Sequence, residues 1–170
     1  AFLQARLGLF KGTEIKARYF PEINYNDVRA GLYGGALQHE LTSWIPGADL
    51  FPVSVAGLVA FSQMNGEYNF EERDYFRGEN QIFDTQLQSW LFAAIVSTKI
   101  PFFNLYGGIG YATGTSKTRM RGTYEVLDVN SGETVVTLTD PLSVSHEIGG
   151  VVTNLGISFK MGVLKLSADY

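Results

Sequence analysis

Cysteine is absent from the 170 residues, which removes disulfides and thiolate metal sites from consideration. No apolar run approaches the roughly 20 residues of a membrane-spanning helix, so a membrane could be crossed here only with strands. Histidine is scarce, with His39 and His146 alone available for acid-base work, and no serine sits in the Gly-x-Ser-x-Gly elbow of a hydrolase. Charge is sparse too. A charged fraction of 18%, a net charge of -4 and a pI near 5.1 argue against nucleic-acid binding. What the chain does have is 14% aromatic residues and 19 glycines at a mean hydropathy of +0.03, too apolar a balance for disorder.

The apolar residues fall with a period of two. In the stretch Phe83 to Tyr111, Phe83, Leu87, Leu91, Ala93 and Ile95 alternate with Asp84, Gln86 and Gln88. After Lys99-Ile100-Pro101-Phe102, Phe103, Leu105, Ile109 and Tyr111 alternate with Asn104, Tyr106, Gly108 and Gly110. Such a pattern predicts a hairpin with one apolar and one polar face. A membrane barrel turns the apolar row to lipid and the polar row to the lumen.

Along the whole chain the pattern predicts eight strands, near 2–10, 14–21, 28–38, 52–64, 82–98, 103–113, 149–160 and 163–170. Compact connections are expected at Lys11-Gly12-Thr13, around Pro46-Gly47, at Ile100-Pro101-Phe102 and at Met161-Gly162. Longer polar ones are expected at Glu22–Asp27, Asn65–Gln81 and Gly114–Ile148. Short and long connections alternate, as periplasmic turns and extracellular loops do in an outer-membrane barrel. The loop 114–148 carries its own hairpin, Tyr124–Leu127 and Thr134–Leu138 around Asn130-Ser131-Gly132. His39–Ile45 is expected to make one helical turn before Pro46, with Trp44 at an interface. The chain opens directly into strand-like Phe2–Leu7, and Ser167–Tyr170 reads as cut within a strand, so the expectation is a fragment of a mature protein.

Alternation places Arg6, Lys16, Arg18 and Arg29 on rows opposite Leu7, Ala17, Tyr19 and Leu32. Charges at mid-membrane depth cost roughly 2 to 4 kcal/mol on a lipid face, so the four are expected to line a lumen, with Glu14 and Asp84 as partners. A salt-bridged interior and an anion-attracting channel are the two roles for them. The acidic stretch Glu67, Glu71, Glu72, Asp74 and Glu79 matches no calcium-loop spacing, and Arg73 and Arg77 offset its charge, so no metal is predicted. His146 lies near Ser143, Ser145, Glu147 and Asp140, which leaves a hydrolase as a remote alternative. Gly107, Gly108 and Gly110 are read as room for close strand approach and large cross-strand aromatics such as Tyr106.

Ala30–Leu41, followed by Trp44-Ile45-Pro46-Gly47, and Asn154–Lys160 resemble a signature of uncharacterised Gram-negative outer-membrane barrel proteins. That resemblance implies a location in the outer membrane and an architecture, and it brings no site residues. The expectation is an all-β, antiparallel up-and-down transmembrane β-barrel with residues 1–170 as one domain. It would serve as a passive pore, small-molecule uptake protein or structural scaffold without chemistry or cofactor, its partners lipid and small solutes or anions. The alternative is a soluble β-barrel or sandwich binding an apolar ligand, with the apolar rows turned inward.

Overall fold

The computed structural model describes residues 3–47, 52–70, 76–100, 102–128, 131–161 and 164–169. The chain is all-β and antiparallel. Eight strands form one sheet: β1 (Leu3–Gly8), β2 (Thr13–Tyr25), β3 (Val28–Glu40), β4 (Val53–Asn69), β6 (Ile82–Thr98), β7 (Phe103–Arg121), β10 (Leu142–Met161) and β11 (Leu164–Asp169), in the spatial order β1-β2-β3-β4-β6-β7-β10-β11. A second, three-stranded sheet is built from β5 (Phe76–Arg77), β8 (Thr123–Leu127) and β9 (Thr134–Thr139). Among the described residues β1 and β11 do not pair with each other, so the observed sheet is open where a closed barrel was expected.

The strands overrun their expected ends. β4, β7 and β10 reach Asn69, Arg121 and Leu142, so much of the connection expected at 114–148 is strand, and only β8 and β9 fold back as the separate hairpin. Likewise Glu22–Asp27 is not a loop. β2 runs to Tyr25, which pairs with Val28 across a two-residue turn, and Asn26 and Asp27 both have positive φ, 41° and 55°. These are the requirements of a type I′ hairpin, whose twist matches that of its strands. The expected helical turn is a short 3-10 turn at Leu41–Trp44. Residues 101, 130 and 162 of the expected turns, and Glu71, Glu72, Arg73 and Asp74, lie outside the described residues.

Register assigns every residue of the large sheet to a face, because directly opposed residues point the same way. One face carries Ile15, Ala17 and Tyr19 of β2, Tyr33 and Leu37 of β3, Val59 and Phe61 of β4, Trp90, Phe92, Ala94 and Val96 of β6, and Leu105, Ile109 and Tyr111 of β7. This apolar face is the more exposed one: Phe92 is 50% and Ile109 60% exposed. The other, mixed face holds Leu91, Ala93 and Ile95, which pair with Ala112, Gly110 and Gly108 and are half-buried. The expected hairpin faces are therefore corrected, since Leu91, Ala93 and Ile95 lie opposite to Leu105, Ile109 and Tyr111. Residues 90–96 are apolar at nearly every position, so alternation within β6 could not fix its phase. Pairing with β7 does.

Halfway up the sheet the polarity of the two faces exchanges. Above the aromatic residues Phe61 and Trp90, the apolar face becomes the rung Gln63, Gln88, Thr115 and Glu147, then Asn65, Gln86, Lys117 and Ser145, then Arg29, Glu67, Asp84, Arg119 and Ser143. Over the same height the mixed face carries Met64, Leu87, Ser116 and His146, then Gly66, Thr85, Thr118 and Val144, and ends in the apolar rung Val28, Tyr68, Phe83, Met120 and Leu142. β2 makes the exchange with a bulge between Phe20 and Ile23. Pro21, which has no N–H to give a ladder, sits in that bulge beyond the reach of β1, where a strand tolerates it. Odd-numbered residues thereby change sides, so Ile15 and Tyr19 lie on one face and Ile23 and Tyr25 on the other.

Candidate functional site: two charged clusters on opposite faces

The five charged residues expected to share a lumen separate into two groups. Arg6, Lys16 and Arg18 lie on the mixed face, while Arg29 and Asp84 lie on the apolar side, in its polar upper part. The sequence-based reading took Leu32 as the apolar reference in β3. In the sheet Leu32 is on the mixed face, so a residue opposite Leu32 is not opposite the exposed apolar row.

The lower cluster is built on β1, β2 and β3. Arg6 Nε lies 2.7 Å from Glu14 Oε1, and Lys16 Nζ lies 3.6 Å from Glu14 Oε2. Lys16 also donates to Gln38 Oε1 at 2.7 Å, and Arg18 donates to the Ser62 hydroxyl at 3.0 Å. Two cations thus hold one carboxylate, and Arg18 stands beside them on Ser62. Among the described residues no carboxylate is within ion-pair distance of Arg18. Its side chain lies across Gly34, where an added Cβ would stand 3.2 Å from Arg18 Nε and 2.7 Å from the Phe61 carbonyl oxygen. Glycine at this position lets the guanidinium lie flat on the sheet.

Next to these cations the mixed face is made of small and apolar side chains. The rung through Lys16 continues as Ala36, Ala60, Leu91, Ala112 and Gly150. A groove is lined at one end by Lys16 and Arg18 and at the other by Gly34, Ala36, Ala60 and Leu91.

The upper cluster is a rung with two carboxylates, Glu67 and Asp84, flanked by arginines on both sides. Arg29 Nη1 lies 3.6 Å from Glu67 Oε1, and Asp84 is held by both Arg119, at 3.0 Å, and Arg121, at 2.7 Å. Asp84 is 8% exposed, whereas its two arginines are half in water. Arg119 and Arg121 were not singled out in the sequence, and Glu67 was read there only as part of an acidic loop. The signal for them was the odd-numbered spacing of 117, 119 and 121, which continues the exposed row 105, 109 and 111.

Aromatic side chains mark both ends of the apolar face. At the upper end the Tyr33, Phe61, Trp90 and Phe92 rings follow one another at centroid separations of 6.4, 4.9 and 6.4 Å. At the lower end Trp44 and Phe102 are 62% and 77% exposed. The Trp44 indole donates to His39 Nε2, Thr13 Oγ1 is 2.9 Å from His39 Nδ1, and Lys11 Nζ stands 4.7 Å over the Trp44 ring. The two histidines are thus apart in role, since His39 belongs to this lower end and His146 pairs with Ser116 in the upper part of the mixed face. Strand alternation puts Ser143, Ser145 and Glu147 on the face opposite His146. Gly107, Gly108 and Gly110 are residues of β7 with no helix after them, and Tyr106 lies over its directly paired Gly156. Among the described residues no group of acidic or histidine side chains is arranged to hold a metal ion.

The family model described as "Family of unknown function (DUF6588)" matches residues 1–170. None of the curated proteins and none of the solved structures compared with the chain matches it.

Proposed function

We propose that this chain, which belongs to the DUF6588 family of unknown function, forms the wall of an outer-membrane β-barrel that binds or passes a solute without bond chemistry. The observation that carries this reading is the bounded apolar belt on the exposed face. On β4, β6, β7 and β10 it runs over 53–61, 90–98, 103–111 and 151–159. Each span is about nine residues, near what a tilted strand needs to cross a bilayer. Aromatic side chains at both borders suit the two membrane–water interfaces. Above the upper border the change of the exposed face to polar and charged side chains suits a sheet that leaves lipid for water.

The belt supports this reading over a soluble sandwich. A soluble sheet would bury Trp90, Phe92, Ile109 and Tyr111 under a second layer, yet they are 43% to 60% exposed.

Two adjacent alanines test it. Ala94 is on the exposed apolar face and Ala93 on the mixed one. Arginine at Ala94 should block assembly of the full-length protein, by about 2 to 4 kcal/mol near the membrane midplane. Arginine at Ala93 should leave heat-modifiable, detergent-requiring protein. Equal tolerance of both, or a monomer stable in plain buffer, would overturn the reading.

A further inference from the structure

The rung that ends the mixed face is apolar without a break across six neighbouring strands. Tyr25 of β2, Val28 of β3, Tyr68 of β4, Phe83 of β6, Met120 of β7 and Leu142 of β10 are directly opposed in turn. One residue along each strand, the opposite face carries Arg29, Glu67, Asp84 and Arg119, so the apolar rung backs onto the most charged part of the sheet. Lower on the mixed face the side chains are much smaller, with Gly34, Ser62, Ser89 and Gly114 sharing one rung over β3, β4, β6 and β7. The second sheet prolongs the apolar rung upward. Buried Tyr124 follows Phe70 and Tyr68 at ring separations of 6.4 and 4.9 Å, which sets its face of the β8–β9 hairpin on the same side as Tyr68. That face also carries Val126, Val136 and Leu138, each 42% to 45% exposed. Gln81, only 6% exposed, holds the second sheet in place by donating to the Thr123 and Arg77 carbonyls at 3.0 and 3.2 Å.

We infer that this rung is an apolar mouth on the solute path, one that admits an uncharged, largely apolar solute and excludes hydrated ions. Side chains just fill the interior of a barrel of about eight strands, so the bore is narrowest where they are largest. That height is the rung of Tyr68, Phe83, Met120 and Leu142. A narrow ring of apolar side chains offers an ion nothing in exchange for its water and empties of water itself. To an apolar solute the same rings and thioether offer contact. The inference rests on the reading that the mixed face looks inward in a barrel.

The test uses the full-length protein, with heat-modifiable mobility as the check on folding and two readouts. One is ion conductance in planar bilayers. The other is the rate at which whole cells producing the protein take up an uncharged fluorescent probe, phenylnaphthylamine, relative to cells without it. The natural protein is expected to leave the bilayer without ion conductance and to speed uptake of the probe at least a few-fold. F83N/M120N, which makes two adjacent positions of the rung polar, should raise conductance at least tenfold and cut the gain in uptake by half or more. F83L/M120L, which keeps the rung apolar, should leave the bilayer without conductance. Steady ion conductance by the natural, heat-modifiable protein would overturn the mouth and leave the barrel. So would a folded F83N/M120N variant that matches the natural protein in both readouts, or probe uptake no faster than in cells without the protein. A protein that stays monomeric in plain buffer and does not enter the bilayer would overturn the barrel and the mouth with it.

Discussion

Asp84 and Glu14 are both carboxylates held by two cations, and their surroundings set different worth on them. Asp84 is nearly out of solvent between two guanidiniums, whereas Glu14 faces an Arg6 side chain that is 56% exposed. Solvent screening reduces the second pair to the level of an ordinary surface ion pair. Replacing Asp84 with asparagine removes the charge between two arginines and leaves them one acceptor oxygen in place of two. The D84N variant should therefore lower stability by about 1 to 2 kcal/mol, discounted because both guanidiniums are half in water. E14Q should cost less than about 1 kcal/mol. Urea titration of refolded protein would rank the two, and equal costs would mean that the burial of Asp84 adds nothing.

At the scale of the element, the β2–β3 hairpin shows where the sequence was legible and where it was not. Both strands were readable from their alternation, and the tight turn was not, because Pro21-Glu22 looks like a loop start when the bulge that accommodates it is unseen. The bulge keeps the sequence in phase while the faces change, a device that single-strand periodicity cannot reveal. In β6 the difficulty is the opposite, since both faces are apolar through the belt and only the partner strand decides the phase. The same gap split the charged site, because Arg29 was referred to Leu32 rather than to the exposed residues Tyr33 and Leu37. By contrast the β8–β9 hairpin was legible, its turn carried by Gly132 with φ of 68° and by Ser131 N–H donating to the Asp128 carboxylate at 3.0 Å. Asp27 in the β2–β3 turn holds a left-handed conformation that glycine adopts without cost. D27G should raise stability by about 0.5 to 1 kcal/mol, seen as a higher denaturation midpoint, provided the turn is the two-residue one observed.

For the whole molecule, the two tryptophans stand at the two borders of the apolar belt, Trp90 at the upper and Trp44 at the lower. Single-tryptophan variants W44F and W90F, reconstituted in vesicles with brominated lipids, should each be quenched most strongly by bromine near the headgroups and weakly by bromine at the chain ends. Strong quenching of either from the bilayer centre would displace the belt from where the sheet geometry puts it. Eight strands in antiparallel order were visible in the sequence because each is long, alternating and bounded by turn residues. The height to which the strands rise was not. Their upper halves carry the same period with the polarity reversed, and a polar outward row reads as a loop when the row behind it is not considered.

That reversal also protects the sheet against slipping. A strand displaced by one residue turns its whole apolar set to the wrong side, a penalty common to any two-faced sheet. A displacement by two residues keeps the faces and would ordinarily go unpunished. Here a slip downward would bring Gln63 or Gln88 among the exposed apolar side chains, and a slip upward would carry Phe61 or Trp90 into the polar rung of Gln63, Gln88, Thr115 and Glu147. Each long strand therefore has a single resting position along its own axis, and neighbouring strands inherit the same zero point through their shared rungs.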